Sequence, residues 1–582
     1  MMATAVAEAR RPNVVVILTD DQGWGDLSLN GNTNLSTPHI DSLAEAGSSF
    51  ERFYVCPVCS PTRAEFLTGR YHQRGGVRGV TAGDERLDLD EATVADAFKA
   101  AGYRTAAFGK WHNGTQYPYH PNGRGFDEFY GFCSGHWGSY FSPMLEHNGR
   151  VVKGEGYVVD DFTNHALEFI EQHRDEPFFV YLPYNIPHSP MQVPDDYWER
   201  FAGKKLEMHH RDPEKEDDLH LRCALAMCEN IDWNVGRVLS KLDELELRDD
   251  TIVLFFCDNG PNGWRWNGGM KGKKGSTDEG GIRSPLLIRW PGHVAAGRTV
   301  EAPASAIDLL PTLVGLAGID RVGDKPLDGT SLAPLMDDAV STALDAFGNR
   351  LVFSSWGNRF TARDRRWRLS HDGKLFDMDA DPGQRRDVAA QHPEVFTGLS
   401  SRLGAWKREM LAEKSPDRRP FVIAHPDFEW THLPARDAKS AGGIRRTSPH
   451  PNDSHFTHWT STDDRISWEC EVAAEGTFEV AIHYTCAVAD LGSTLELAFG
   501  DSRMTGKVAR AFEPGPVDVG RDRSPRSESL VQDWGRQVIG RIRLEPGQGT
   551  LTLRATEIPG GQVMDFRLLT LRRVQGGRAR EE

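Results

Sequence analysis

Between about Pro12 and about Ile319 the chain alternates short, continuous apolar runs with longer segments whose apolar positions recur every three to four residues. Val14-Val15-Val16-Ile17-Leu18 lies within the first run, Asn13–Thr19. Thr105–Phe108, Phe178–Tyr184, Thr251–Cys257 and Pro285–Trp290 repeat the pattern. A run that is apolar at every position predicts a strand buried on both faces. Helices to cover those faces are predicted at Thr37–Ala46, Thr93–Ala101, Val159–Gln172, Leu219–Leu245 and Ile307–Ala317. Residues 1–340 therefore read as an α/β domain with a largely parallel sheet. Functional groups in such domains collect at the carboxyl ends of the strands. Asp20, Lys110, His188 and Asp258 all fall there.

The pattern then changes twice. Residues 341–420 predict a small α+β subdomain, with strands at Arg350–Trp356 and Trp367–Ser370 and a helix at Pro393–Leu411. Residues 421–582 lose helical periodicity. Apolar and polar positions alternate in Arg465–Glu471, Thr477–Cys486, Thr494–Phe499, Val538–Leu544, Gly549–Ala555 and Val563–Arg573, which predicts an all-β sandwich.

The chain's 582 residues suffice for two or three domains. Its 39% hydrophobic and 26% charged residues are those of a soluble globular protein. A formal charge of −16, with no basic stripe to offset it, argues against nucleic acid as a partner. An anionic ligand must then be drawn by a local basic pocket. Eight cysteines in this length form no disulfide framework. No apolar segment precedes the first strand and no run approaches ~20 apolar residues. As written, the expectation is a cytoplasmic protein without a signal peptide or transmembrane segment, with export requiring a different N-terminus.

Candidate chemistry centres on Cys59-Ser60-Pro61-Thr62-Arg63-Ala64-Glu65-Phe66-Leu67-Thr68-Gly69-Arg70. Ser60 reads as a helix N-cap, Pro61 as the first helical residue and Gly69 as the exit. Cys59 then stands at the mouth of a helix, where free backbone N–H groups favour an anion, and Arg63 adds a fork of donors suited to an oxyanion. Cys56-Pro57-Val58-Cys59 also has the spacing of a redox pair or half a zinc site, but no second such pair exists. Asp20-Asp21 and Asp258-Asn259 each follow a strand. Adjacent carboxylates in a dry cleft need a cation between them, and an oxygen-only donor set suits Ca²⁺ or Mg²⁺ and not zinc.

The twelve residues from Cys59 resemble the signature of the type I sulfatases, C-x-P-S/T-R-x-x-x-L-T-G-R. Gly109-Lys110-Trp111-His112 is similar to the family's G-K-W-H, and Pro187-His188-Ser189-Pro190 to its P-H-x-P. Lys274 through Arg283 is similar to its K-G-x-x-x-E-G-G-x-R, and alignment on Glu279-Gly280-Gly281 selects Lys274 as the pocket lysine. The resemblance implies an alkaline phosphatase-like sheet and a sulfuric ester hydrolase. It further implies that a formylglycine-generating enzyme oxidises Cys59 to Cα-formylglycine. The hydrate of that group is the implied nucleophile, and a sulfated enzyme the intermediate. One Ca²⁺ is implied, bound by Asp20, Asp21, Asp258, Asn259 and the modified Cys59. By the same resemblance Lys110 and Arg63 stabilise the hydrate, His112 is the base, and His188 and Lys274 contact the sulfate and protonate the leaving group. A carbohydrate sulfate is the favoured substrate. The alternatives are a phosphonate monoester hydrolase or phosphodiesterase using the same cysteine, and an inactive sulfoglycan-binding protein. Loop residues His136, Trp137, Trp264, Arg265 and Trp266 are candidates for a sugar-stacking platform.

Overall fold

The computed structural model describes residues 11–337, 347–348, 350–413 and 417–574. The expected domain boundary at 340/341 lies outside the described residues. The centre of the molecule is a ten-stranded sheet. Its spatial order is Arg298–Val300, Ser48–Phe50, Leu286–Arg289, Thr251–Cys257, Asn13–Thr19, Phe178–Pro183, Arg104–Lys110, Glu128–Phe132, Met144–His147 and Arg150–Lys153. Strands Asn13–Thr19 and Thr251–Cys257 coincide with the apolar runs read from the sequence.

Both faces of this sheet are covered, which is why the runs are continuous. Val15 and Ile17 join one apolar core with helices Val158–Gln172 and Asp218–Glu244. Val14, Val16 and Leu18 join a second core with helices Cys59–Thr68, Val94–Ala100 and Leu309–Leu316. The sheet is mixed: its central strands are parallel, as is the edge pair Arg298–Val300 and Ser48–Phe50. Leu286–Arg289 runs antiparallel to both of its neighbours, and Met144–His147 and Arg150–Lys153 form an antiparallel edge. The segment from Cys257 to Leu286 holds one helical turn, Glu279–Ile282, so no crossover helix returns the chain for a parallel pairing.

Beyond it, four antiparallel strands (Val352–Trp356, Arg359–Arg363, Trp367–Leu369, Leu375–Asp377) pack under helix Pro393–Ala412. The Trp406 ring stacks on Phe353 with centroids 4.9 Å apart. The remaining residues build two six-stranded sheets that share one apolar core containing Trp468, Ile482, Leu553 and Phe566. Burial alternates residue by residue along Arg465–Val472, as the polar-apolar alternation requires. Strands Phe421–Ile423, Trp430–Pro434, Lys439–Ala441 and Ser502–Lys507 add to those expected. The last of them has a sequence too polar to stand out. Buried ion pairs dock these sheets on the catalytic part, among them Arg436 to Glu85 at 3.1 Å.

Among the described residues no helix is long and apolar enough to cross a membrane.

Candidate active site

The carboxyl ends of three central strands and the start of the Cys59–Thr68 helix converge on one buried point. Asp20 and Asp21 follow Thr19, Lys110 closes Arg104–Lys110, and Asp258 and Asn259 follow Cys257. Cys59 is itself the first helical residue, 3% exposed, and Val58 is the N-cap, without a side-chain cap. The assignment of Ser60 as cap and Pro61 as first residue is thus corrected by two positions. Thr62, in the first turn, braces the helix against the chain before it and the neighbouring strand. Its Oγ accepts the Cys56 N–H at 2.9 Å and donates to the Asp258 carbonyl at 2.6 Å, tying the helix to the neighbouring strand end. Pro61 sits within the first turn, where no N–H is needed for an intrahelical bond. Gly69 ends the helix at φ +68°, as expected.

Buried charges here are paired. Lys110 Nζ lies 2.5 Å from Asp20 Oδ2, and Lys274 Nζ lies 2.7 Å from Asp21 Oδ1. Arg63 does not face an open pocket. Its Nε and Nη2 lie 3.2 and 2.8 Å from Asp258 Oδ2, and its Nη1 donates to the Lys110 carbonyl at 2.7 Å. The guanidinium therefore positions Asp258. Burial works to raise the Asp20 carboxyl, but Lys110, with His188 and Arg63 beyond it, holds it far below the usual carboxylate range. Asp258 goes the other way: burial, then Asp20, push it up to about 7. The three carboxylates match the three cations in number, but Asp20 and Asp21 still raise Asp258, and a metal ion among them would relieve that repulsion.

A metal fits this donor set. Asp20 Oδ1 and Asn259 Oδ1 are buried acceptors with no hydrogen-bond partner. Asn259 is oriented by its Nδ2, which donates to Asp21 Oδ1 at 2.8 Å. Potential ligand atoms of Asp20, Cys59 and Asp258 lie within 4.8 Å of one another, as do those of Asp20, Asp21 and His188. The carboxylates and the amide oxygen are hard donors.

Two histidines flank the cluster in defined tautomers. His112 Nε2 lies 2.9 Å from the Val80 carbonyl, which can only accept, so in the neutral ring Nδ1 carries the lone pair. That Nδ1 is buried and unpartnered. Burial, then Lys110, push the ring well below the ordinary histidine value, so it is neutral at neutral pH. His188 Nδ1 likewise meets the Ser189 carbonyl at 2.7 Å, which leaves Nε2 3.7 Å from Asp21 Oδ2. The loop that carries Lys274 needs the two glycines after Glu279. A Cβ on Gly281 would stand 2.1 Å from the Ser276 carbonyl oxygen. Glu279 anchors that loop through Arg363 and Arg368 at 3.1 and 3.3 Å.

This constellation has relatives. The family model "Sulfatase" matches residues 12–319. The N-acetylgalactosamine-6-sulfatase of Mus musculus is 32% identical over 429 residues, covering 67% of this chain and 79% of that protein. The chain belongs to the sulfatase family. It is a hydrolase of sulfate esters. Arylsulfatase A of Homo sapiens is 34% identical over 373 residues, covering 58% of this chain and 69% of its own. Among solved structures, Ps i-CgsB superposes with TM-score 0.62 at 30% identity, over 70% of this chain and 94% of that one. It has also been crystallised with k-i-k-neocarrahexaose. The sulfatases share the alkaline phosphatase-like fold. A phosphonate monoester hydrolase of Agrobacterium radiobacter, 22% identical with TM-score 0.50 over 69% of this chain and 96% of its own, shares that fold alone.

Two of the candidate platform residues, Arg265 and Trp137, are engaged in internal contacts. Arg265 is 1% exposed and clamps Asp26 at 2.7 Å. Trp137 stacks on Phe132 at 5.0 Å and lies under Arg567. Trp264 is approached by two ammonium groups, Lys215 and Lys273, at 5.2 and 5.3 Å. The rim also has a contributor that sequence reasoning missed. Glu528, from the C-terminal sheets, accepts a hydrogen bond from Ser189 Oγ at 2.5 Å, beside His188. His136, whose two ring nitrogens are buried without partners, has its ring 5.3 Å from that of His188. Nothing in the local sequence around Glu528 marks it.

Proposed function

We propose that this sulfatase removes sulfate from a carbohydrate, using Cys59 after its oxidation to Cα-formylglycine by a maturation enzyme. The observation that carries the reading is the convergence of buried, unpartnered acceptors on Asp20 and Asn259 with Lys110 and Lys274 at the mouth of the Cys59 helix. The thiol itself is a poor nucleophile in this place. Burial pushes it up in spite of Lys110 and Lys274, so thiolate chemistry is disfavoured and a hydroxyl-bearing derivative is better suited.

Asp20, Asp21, Asp258, Asn259 and the modified Cys59 are the residues that would hold one Ca²⁺. When bound, the ion supplies positive charge for the nucleophile and the sulfate oxygens. We assign the remaining residues roles that their geometry supports. His112 offers an unprotonated Nδ1 as the base that takes a hydroxyl proton from the modified residue 59. Lys110 and Lys274 neutralise charge on the sulfate, and His188, once protonated at Nε2 beside Asp21, acts with Lys274 as the acid for the leaving oxygen. Carbohydrate is favoured because the relatives include an N-acetylgalactosamine-6-sulfatase and a sulfatase crystallised with a neocarrahexaose. We read the chain as three units: the catalytic domain at 1–340, a small α+β subdomain at 341–420 and an accessory β-sandwich at 421–582.

The test is mass spectrometry of the Cys59 peptide alongside turnover of sulfated saccharides, with aryl sulfate, phosphodiester and phosphonate controls. The expected result is an aldehyde or hydrate at position 59, and activity that chelation removes and Ca²⁺ restores. An active preparation in which Cys59 is wholly thiol, or full activity after exhaustive chelation, overturns the mechanism.

A further inference from the structure

A cleft of about 630 Å³ opens beside Lys274 and is walled by three separate stretches of chain. Arg211 and Lys215 come from the loop before helix Asp218–Glu244, and Lys271, Lys273 and Lys274 from the loop after Asn259. Arg359 and Arg385 come from the four-stranded subdomain. The volume is that of a ligand site. Its lining is strongly one-signed: seven cationic side chains against two carboxylates, Asp212 and Asp278. In a chain of formal charge −16, such a wall does not arise from the overall composition.

Some of this charge is already used. Lys274 is committed to Asp21, Lys271 lies 3.2 Å from Asp278, and Lys215 lies 2.8 Å from Asp212. Lys273, Arg359 and Arg385 form no ion pair among the described residues. Lys273 Nζ donates to the Asn262 carbonyl at 2.8 Å and lies against Trp264, so it is held over the cleft. Arg359 Nη1 reaches the Gly275 carbonyl at 3.4 Å, next to Lys274. Lys215 also lies against Trp264, so that ring holds two ammonium groups in place. Two exposed arginines and a restrained lysine without acidic partners therefore face the space into which Lys274 leads.

We propose that this cleft is a subsite for a second anionic group, a sulfate ester or a carboxylate, borne by the same glycan whose sulfate is cleaved at Cys59. The inference rests on the carbohydrate reading and narrows it to polyanionic saccharides. Each exposed cation acts weakly by itself because solvent screens it. Together, in a concave wall, they focus the field and draw a multiply charged chain. The subsite contacts a part of the substrate remote from the reacting sulfur. Its energy therefore discriminates between substrates that carry the second charge and those that do not.

The experiment compares kcat/KM for a disulfated oligosaccharide with that for its monosulfated counterpart, in the wild type and in the triple variant Lys273→Ala/Arg359→Ala/Arg385→Ala. The wild type is expected to prefer the disulfated substrate by at least about tenfold at low salt. The preference should shrink as salt rises. The triple variant is expected to lose most of it, since hydrogen bonds to charged groups are the stronger kind. A preference unchanged in the triple variant, or equal rates on both saccharides in the wild type, overturns the subsite while leaving the carbohydrate reading intact. Turnover of aryl sulfate but of neither saccharide defeats the carbohydrate reading itself.

Discussion

Arg63→Ala isolates the electrostatic logic of the site. Arg63 and Asp258 are both fully buried, and two guanidinium nitrogens lie 3.2 and 2.8 Å from the same carboxylate oxygen. Removing one member of a buried pair costs about 3–5 kcal/mol, because the other is left uncompensated. Here the lower end applies. Burial and Asp20 already push Asp258 up to about 7, so the stranded carboxyl takes up a proton near neutrality and escapes part of the penalty. About 3 kcal/mol, at roughly 1–2 °C per kcal/mol for a domain of some 340 residues, lowers Tm by about 3–6 °C. The assay is thermal unfolding in excess chelator of the wild type, Arg63→Ala, Asp258→Asn and the double variant. The double variant should be less destabilised than the sum of the singles by at least about 1 kcal/mol, since it contains no unpaired charge. Added Ca²⁺ should shrink the Arg63→Ala deficit by compensating Asp258 in place of the guanidinium. Strict additivity, or a deficit below about 1 kcal/mol in chelator, would refute the reasoning.

Two further tests probe other parts of the molecule. Glu65 is 4% exposed, and burial, the largest cause, pushes its carboxyl from 4.5 up to about 8. A raised carboxyl leaves the folded state holding a proton that the unfolded state has lost. Stability is therefore full below about pH 4.5 and falls as pH rises through 8, by up to roughly 4–5 kcal/mol. Glu65→Gln should remove that slope, so its Tm advantage over the wild type grows between pH 5 and pH 8. Parallel pH curves would contradict the assignment. Glu528→Ala removes the acceptor of the 2.5 Å bond from Ser189, and should lower kcat/KM on saccharides several-fold more than on a small aryl sulfate. An equal loss on both would mean that the C-terminal sheets act on the chemistry itself and not on extended substrates.

Much of the fold was legible because its strands obey simple rules. Asn13–Thr19 and Thr251–Cys257 lie side by side at the centre of the sheet, covered on both faces, so every position had to be apolar. Arg465–Val472 and Gly535–Leu544 bury one face only, and alternation gave them away, whereas Asp565–Arg573 is buried almost throughout. Legibility failed where local signals compete. Ser60 has the chemistry of an N-cap, but the helix starts one residue ahead of it, with Val58 as N-cap. The parallel sheet was over-extended to Leu286–Arg289 because an apolar run carries no information about strand direction.

The active site divides along the same line. Asp20, Lys110, Asp258 and Asn259 were readable because strand ends in a buried sheet lie side by side once the strands pair. Cys59 was readable because its motif is contiguous. Arg265 was misread: a guanidinium in a loop resembles a binding group until Asp26 is seen to neutralise it. Glu528 was invisible because its meaning depends on docking between two sheet systems, not on neighbours in sequence. That contact alters what the accessory part of the chain is for. A carboxylate fixed on Ser189, one residue from His188, stands on one side of the entrance, while Lys273, Arg359 and Arg385 line a cleft on the Lys274 side. With the subsite proposed above, an entrance built in this way would orient a polyanionic chain, its negative groups repelled by Glu528 and held by Lys273, Arg359 and Arg385. On that proposal, charges outside the reaction centre decide which sulfate reaches Cys59.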